Sequence, residues 1–324
     1  MIIIKLSGGL GNNMFQYAAT RSLAISKKIP FSYYKVKGIN YYKKKILRNI
    51  RKFLLGKEDL FQKQLSNKDL SDYFYLNQSS IKINFYRAFW FLLNKKYKKF
   101  FFQKIDPLNY KDKELNVDKS FFNISSFTNL SGSFSSEEYF LLDRDTILTW
   151  FSPNDKIKKQ INKLTNALCY PSEQRCCIHV RRGDAMHMDK GYDLNGLGWG
   201  LPIEYYKFII KALPKGLIFI FVSDDPSWVE KNFSYLKNKV IYKNNSEIID
   251  LLMFSKCKYN IIARSTFSWW GAWLNQIEGK VVYAPKYFIG IPKNICFPLG
   301  LDLGEEASSW NYINVQTLKK KLGI

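Results

Sequence analysis

The sequence predicts an α/β protein whose second half forms a doubly wound parallel sheet. Strands and helices are predicted to alternate along this half, which is typical of βαβ units. The strand LIFIFVS, at residues 217–223, is apolar almost throughout, as expected for a strand buried on both faces. Three polar clusters, HVRRGD, SDD and ARSTFS, follow strands, where ligands bind in such sheets. The sequence therefore predicts a ligand site in the second half.

The first half opens with an apolar strand that ends in the glycine-rich turn SGGLGNN. A helix is predicted over GNNMFQYAATRSLAISKK because apolar residues recur at helical spacing, and Asn12 or Asn13 is its expected N-cap. Pro30 introduces a second strand, PFSYYKV, and the region from about 40 to 130 predicts only mixed helix and loop. Serines and glutamates in GSFSSEEYF then give a helix-start signal.

The elements of the second half follow one another with short connections. The predicted strands are residues 175–180, 217–223, 240–242 and 259–263, with VVYAP as the last strand. The predicted helices are residues 203–213, the stretch that begins at Asp225 and Pro226, residues 247–256 and residues 268–275. Aspartate followed by proline is a typical helix start, because aspartate caps the helix and proline fits its first turn.

Length and composition predict a globular protein of two domains. The 324 residues are 46% hydrophobic, enough for two domains of roughly 150 residues. The apolar runs are too short to span a bilayer and no basic leader precedes the first strand, so we expect a protein that is neither secreted nor membrane-spanning. Cys176 and Cys177 are adjacent, and the cysteines have no ligand-like spacing to His179 or His187, which predicts buried, reduced thiols.

The formal net charge of +23 predicts a negatively charged partner. Residues 35–104 hold eighteen lysine or arginine residues against four acidic residues, and the basic residues alternate with aromatic and aliphatic ones. This pattern suits an anionic membrane surface, and it also suits RNA. A solvated basic face without a ligand is the third interpretation, and the sequence leaves all three open.

The turn SGGLGNN has two interpretations. It is either a tight turn, since glycine and asparagine tolerate positive φ, or a phosphate cradle, since backbone N–H groups at a helix start bind anions. A dinucleotide fingerprint is excluded, because Met14 stands where the third glycine belongs and no acidic residue precedes Glu58. The sequence contains no GK[ST] motif, which excludes a P-loop.

Arg181 and Arg182 directly follow the predicted strand RCCIHV and are the strongest anion-binding candidates. Guanidinium groups bind phosphate with paired hydrogen bonds and keep their charge at all physiological pH values, which suits a pyrophosphate leaving group. A salt bridge from either arginine to Asp184 is the structural alternative. Ser265 and Thr266 lie between a strand and a helix, where they either complete an anion site or only cap the helix.

Carboxylates that could bind a metal are poorly arranged in the sequence. Asp224 and Asp225 are adjacent, and the pair Asp143 and Asp145 is separated by an arginine within a predicted helix. We therefore predict no metal site, and expect arginine to be the cation beside a bound pyrophosphate.

Six motifs occur in order along the chain: SGGLGNNMFQYA, GSFSSEEYF, HVRRGD, LPIEYY, FVSDD and ARSTFSWWGAWL. Together they resemble the bacterial α-1,2-fucosyltransferases of glycosyltransferase family 11. The resemblance implies a GT-B fold, in which two Rossmann-like domains face each other across a cleft. It also implies GDP-fucose as donor and metal-independent transfer, with inversion, to the 2-hydroxyl of a terminal sugar, commonly galactose, in surface polysaccharide or O-antigen synthesis.

The resemblance also implies domains and partners. The expected domains are an acceptor-side domain at 1–165 with a basic, aromatic insertion at about 40–110, a GDP-sugar-binding domain at 166–300, and a tail or helix at 301–324. The expected partners are GDP-fucose and a galactoside or lipid-linked oligosaccharide, with no cofactor and no nucleic acid. We expect a cytoplasmic enzyme, peripheral on the inner membrane face if the basic region binds lipid. A transferase for another GDP-sugar and a nucleic-acid-binding protein are the alternatives.

Site residues follow from the resemblance by position. The donor-site residues expected from the two halves are Gly8, Gly9, Gly11 and Asn12, and His179, Arg181, Arg182, Asp224, Ser265, Thr266 and Phe267. Within this set, His179 is expected near the guanine, Asp224 near the nucleoside, and the arginines and residues 265–267 around the diphosphate.

Catalysis is assigned to Arg182 and Asp184. Asp184 is the candidate general base, because it follows the arginines on a loop that would face both substrates, and His187 is the weaker candidate. The chain departs from the family pattern at Arg264, where asparagine is usual, and at Ala185, where an aromatic residue is usual. The first departure concerns the donor side, and the second concerns the acceptor pocket.

Overall fold

The computed structural model describes residues 2–35, 70–76, 102–104, 119–124, 128–183, 185, 200–243, 245–286 and 309–322. Three predictions lie outside these residues: the general base Asp184, its alternative His187, and most of the basic, aromatic insertion. The glycine-rich stretch 186–199 that precedes the LPIEYY motif also lies outside them.

The elements of the first half surround one early helix. They are β1 (Ile2–Leu6), α1 (Leu10–Ser26), β2 (Phe31–Lys35), β3 (Phe102–Lys104), β4 (Thr128–Ser131), α2 (Arg144–Trp150) and α3 (Asp155–Asn166). α1 is buried along most of its length. The expected cap at Asn12 or Asn13 is wrong: the N-cap is Gly9, which makes no side-chain cap, and Asn12 lies inside the first turn.

The elements of the second half alternate as predicted. They are β5 (Arg175–Val180), α4 (Ile203–Ala212), β6 (Ile218–Ser223), α5 (Pro226–Asn232), β7 (Lys239–Ile241), α6 (Glu247–Met253), β8 (Tyr259–Ile261), α7 (Thr266–Trp273), β9 (Val281–Pro285), β10 (Asn311–Ile313) and α8 (Val315–Leu322). Asp225 caps α5 by accepting a hydrogen bond from the Trp228 N–H, as the Asp-Pro pair predicts. The prediction that VVYAP is the last strand is wrong, because β10 pairs in parallel with β9.

Among the described residues, the strands form two parallel sheets. The first has the order β2-β1-β4-β3, and the second has the order β10-β9-β8-β5-β6-β7. In the second sheet the chain runs outward from β5 to β7 and then returns to β8 on the other side of β5. The topological switch point therefore lies between β5 and β8, where a crevice opens at the carboxyl ends of the strands. The two sheets confirm the predicted pair of Rossmann-like α/β units.

The two halves share a hydrophobic core. The Phe15 ring of α1 lies 4.5 Å from the Trp269 ring and 5.0 Å from the Trp270 ring of α7, measured between centroids. Phe151, which directly follows α2, lies 4.9 Å from Trp270. Because these side chains are almost fully buried, α1 and α7 form the central contact between the two halves.

Among the described cysteines, burial follows the prediction with one exception. Cys176, Cys177 and Cys257 are buried, whereas Cys169 is exposed. Burial raises the pKa of the Cys176 and Cys177 thiols, so both stay protonated at neutral pH. Within the described ranges, no helix combines the length and the apolar character needed to cross a bilayer.

Candidate functional site

The switch point of the second sheet brings together two of the predicted anion-binding groups. Arg181 directly follows β5, and its Nη1 lies 3.4 Å from the Oγ of Ser265, to which it donates a hydrogen bond. Ser265 precedes α7 as its N-cap, and its Oγ accepts a hydrogen bond from the Phe267 N–H at 3.3 Å. A permanent positive charge and the N-terminus of a helix thus lie side by side, and both attract anions.

Arg182 has a different set of contacts. Its Nε lies 3.4 Å from Oδ2 of Asp225, and its guanidinium stacks 4.2 Å above the Trp228 ring. Its backbone N–H donates to Oδ1 of Asp224 at 2.8 Å. The two consecutive arginines therefore point to different elements, Arg181 toward α7 and Arg182 toward the start of α5. Arg182 thus forms an ion pair with Asp225, while the alternative of a salt bridge to Asp184 concerns a residue outside the described ranges.

Gly183 allows the HVRRGD segment to lie close to the end of β6. A Cβ atom at this position would lie 2.8 Å from Oδ2 of Asp224. Ser223 links the ends of β5 and β6. Its hydroxyl donates to the carbonyl of Val180 at 2.7 Å and accepts from the N–H of Asp225 at 3.0 Å. The end of β6 thus positions the backbone on which both arginines lie.

His179 lies on β5 and is only 7% exposed. Its ring packs against Phe267, with 5.3 Å between centroids, and among the described residues its Nδ1 has no hydrogen-bond partner. Burial, aided by the charge of Arg181, lowers the pKa of His179 from 6.5 to about 3. The imidazole is therefore neutral at working pH. In the unfolded chain the imidazole gains a proton below about pH 6.5, whereas in the folded protein it stays neutral down to about pH 3. The histidine therefore lowers the free energy of unfolding as the pH falls from about 6.5 toward 3.

The two departures from the family pattern are both buried. Arg264 is 2% exposed and directly precedes Ser265. Its charge acts on Tyr205 and Tyr206, where it opposes the rise in pKa that burial causes in both phenols. Ala185 is fully buried. Both departures from the family pattern therefore lie in the protein interior.

The glycine turn of the first half lies against α7. A Cβ atom on Gly11 would lie 2.5 Å from the carbonyl carbon of Thr266 and 2.6 Å from the nitrogen of Phe267. Next to it, the Thr266 hydroxyl donates to Oδ1 of Asn12 at 2.7 Å. A Cβ on Gly9, by contrast, would have no described atom within 4 Å. The predicted donor-site residues of the two halves thus meet at the start of α7.

Sequence reasoning missed two residues that hold these loops. Gln16 accepts a hydrogen bond from the Ser7 N–H at 2.9 Å and donates to the Gly132 carbonyl at 2.9 Å, which ties the end of β1 to the residue after β4. Trp228 stacks on Arg182. Gln16 lies within the motif GGLGNNMFQYA, where helical spacing places it on one face with Asn12 and Thr20, and this run of polar residues was the available signal.

Within the described ranges, no group of three or more His, Cys, Asp or Glu side chains could hold a metal ion. Asp143 precedes α2 as its N-cap and accepts from the Thr146 N–H at 2.8 Å. Arg144 donates to the carbonyl oxygens of Trp273 at 2.6 Å and Asn275 at 3.2 Å. The Asp-Arg-Asp sequence thus caps a helix and joins the two halves.

Comparison with known proteins identifies relatives along most of the chain. The family model described as Glycosyl transferase family 11 matches residues 1–288. The chain is 30% identical to the O-antigen biosynthesis glycosyltransferase WbnK of Escherichia coli, with 89% of this chain and 95% of that protein covered. It is 27% identical to an alpha-1,2-colitosyltransferase of Escherichia coli, with 88% and 91% covered. It is 24% identical to galactoside alpha-(1,2)-fucosyltransferase 2 of Pongo pygmaeus, with 44% and 43% covered.

Proposed function

We propose that this chain, which belongs to glycosyl transferase family 11, transfers L-fucose from GDP-fucose to the 2-hydroxyl of a terminal galactose during O-antigen synthesis. The observation that carries the proposal is the pairing of Arg181 with Ser265 at the switch point of the second sheet. A nucleoside diphosphate has the charge that this arrangement attracts. Names of the relatives supply the reaction class, since they include a fucosyltransferase and an O-antigen glycosyltransferase.

The donor is proposed to lie along the carboxyl ends of β5, β6 and β8. Arg181 and the N-terminus of α7 would bind the diphosphate, and the carboxylate of Asp224 would accept hydrogen bonds from the nucleoside. The ring of His179 would lie near the guanine. Because the imidazole is neutral, the guanine can pack beside it without the cost of removing water from a charged group. Ser265, Thr266 and Phe267 would then surround the phosphates, and Gly9 would face them from the first half.

Transfer would proceed in one displacement at the anomeric carbon. The acceptor hydroxyl forms the new C–O bond while the bond from the anomeric carbon to the phosphate oxygen breaks, and GDP leaves from the opposite face with inversion. The hydroxyl proton passes to a general base, for which Asp184 stays the candidate. Arginine neutralises the departing diphosphate, which we propose makes the reaction independent of a metal ion.

The donor sugar is the first property to test. We expect GDP and GDP-fucose, at about 100 times the Kd, to stabilise the protein by about 2.7 kcal/mol, an increase in melting temperature of roughly 5 °C, and UDP to have no effect. Transfer assays with GDP-fucose, GDP-colitose and GDP-mannose, each with and without EDTA, then identify the sugar and the metal requirement. A shift with UDP alone would contradict the proposal, and loss of activity in EDTA would contradict the arginine mechanism.

We further propose that a lipid-linked oligosaccharide is the acceptor, and that the basic stretch 35–104 binds the anionic membrane on which it lies. The support is compositional, eighteen basic against four acidic residues. Each basic residue near an anionic surface contributes about 1 kcal/mol, so reversing Lys43, Lys44 and Lys45 to glutamate is expected to reduce binding to anionic vesicles at least about tenfold. Flotation with anionic and with zwitterionic vesicles measures this.

The control variant reverses Lys156, Lys159 and Lys163, three exposed residues on α3, and so changes the net charge equally. Equal binding losses in the two variants would indicate a nonspecific charge effect. Flotation of the wild type that does not depend on anionic lipid would contradict the membrane proposal.

A further inference from the structure

We propose that Asn12 is a positioning residue that acts through Thr266: it holds the N-terminus of α7, and with it the diphosphate site, in register with the first half. This inference rests on the proposed function. It differs from the expectation that Asn12 itself contacts the donor. In this arrangement the turn SGGLGNN of the first half supports the N-terminus of α7, which is part of the anion site of the second half.

The contact that carries the inference joins residues 254 positions apart in the sequence. The Thr266 hydroxyl donates to Oδ1 of Asn12 at 2.7 Å, which is a short, well-formed hydrogen bond. Since a hydroxyl has only one proton, Thr266 cannot donate to a phosphate while this bond is made. Thr266 is the first residue of α7, directly after the Ser265 cap that accepts from Arg181. A shift of Thr266 would therefore displace the groups that face the anion.

The backbone around this contact leaves little room for movement. Gly11 lies so close to Thr266 and Phe267 that a Cβ atom would overlap their main chains. On the other side, a Cβ on Gly8, which has a φ of +82°, would lie 2.6 Å from Nδ2 of Asn12. The Asn12 side chain is thus held between the turn that precedes it and the helix that it contacts.

Gln16 extends this support into the first sheet. Its amide binds both the Ser7 N–H and the Gly132 carbonyl, at the ends of the neighbouring strands β1 and β4. The side chain is 2% exposed. The start of α1 is consequently fixed relative to the first sheet, so the Asn12–Thr266 bond transmits that fixed position to α7.

The role of Asn12 can be measured with a double-mutant cycle of N12A, T266V and the double variant. The readouts are the Kd for GDP and the KM and kcat for the sugar nucleotide. If Asn12 acts through Thr266, each single variant weakens GDP binding about tenfold and the double variant is no worse than either. T266S, which keeps the hydroxyl, is expected to recover most of the GDP affinity that T266V loses, and in N12A and T266V kcat is expected to change much less than Kd.

The inference is overturned if the fold-increase in the Kd for GDP in the double variant equals the product of the fold-increases in the two single variants. Asn12 and Thr266 would then act on the donor independently. Urea unfolding of the same four proteins provides a second cycle that does not depend on the ligand. A coupling near zero in that cycle would also overturn the inference. If wild-type protein fails to bind GDP but the unfolding cycle shows coupling, the proposed function fails while the structural link stands.

Discussion

Replacing Arg181 with alanine is expected to lower kcat/KM for the sugar nucleotide by about 10²–10³-fold, the loss typical for one electrostatic contact to the transition state. Negative charge develops on the diphosphate as the bond to the anomeric carbon breaks. Arg181 places a permanent charge beside Ser265 and the start of α7, where this diphosphate is proposed to lie. Steady-state kinetics with varied donor, together with the Kd for GDP, measure the effect.

The opposite end of β5 supplies a matched control. Arg175 starts the strand and donates to the carbonyl oxygens of Tyr170 at 2.7 Å and Thr165 at 3.1 Å, away from the carboxyl ends of the strands. Arg175→Ala should lower the free energy of unfolding and leave kcat/KM nearly unchanged. Equal kinetic losses in the two variants would mean that Arg181 acts only through stability.

Arg182→Ala separates the two members of the pair. Its guanidinium contacts Asp225 through Nε and stacks on Trp228, so part of its charge is already paired and only its remaining N–H groups are available to a diphosphate. We expect a smaller loss than for Arg181→Ala. A larger loss would assign the diphosphate to Arg182 and would support its predicted catalytic role over that of Arg181.

Much of the second half could be predicted because its local signals agree with the topology. β5 and β6 are apolar runs between helices with clear start signals, and parallel pairing buries both faces of such strands. β4 and β10 were missed because their sequences, TNLS and NYI, contain too few apolar residues for a strand signal. These strands form because β1 and β9 offer them pairing partners, which only the tertiary structure supplies.

The sequence predicted where the candidate site lies, but it did not predict all of the contacts within the site. Polar residues after β5 and β8 meet because parallel strands end at the same edge, so the meeting of Arg181 and Ser265 followed from the sequence pattern. The bond between Asn12 and Thr266 could not be predicted, since nothing local relates residues so distant in sequence. The predicted cap at Asn12 or Asn13 was wrong because α1 begins at Leu10 with Gly9 as its N-cap, so both asparagines lie inside the helix.

Gly11→Ala is expected to lower the free energy of unfolding by about 1–3 kcal/mol, the usual effect of overpacking a tight interior contact. Alanine is favoured over glycine inside a helix by about 1 kcal/mol, so helix propensity alone predicts the opposite sign. The added Cβ would lie within 2.7 Å of three main-chain atoms of Thr266 and Phe267, which cannot rotate away as a side chain can. Equilibrium urea unfolding measures the difference.

Gly9→Ala tests whether the loss of stability is specific to the Gly11 contact or follows from any substitution in the glycine turn. Gly9 has a φ of −77°, which alanine adopts without strain, and a Cβ there would have no described atom within 4 Å. Because glycine is favoured over alanine at an N-cap, Gly9→Ala should lower the free energy of unfolding, but by less than about 1 kcal/mol. Because Gly11 lies against the start of α7, Gly11→Ala should also weaken GDP binding. If the donor passes over Gly9, Gly9→Ala should weaken GDP binding more than Gly11→Ala does. Stability and affinity would thus separate the two glycines: Gly11 as the contact between the halves, and Gly9 as the part of the turn open to the donor.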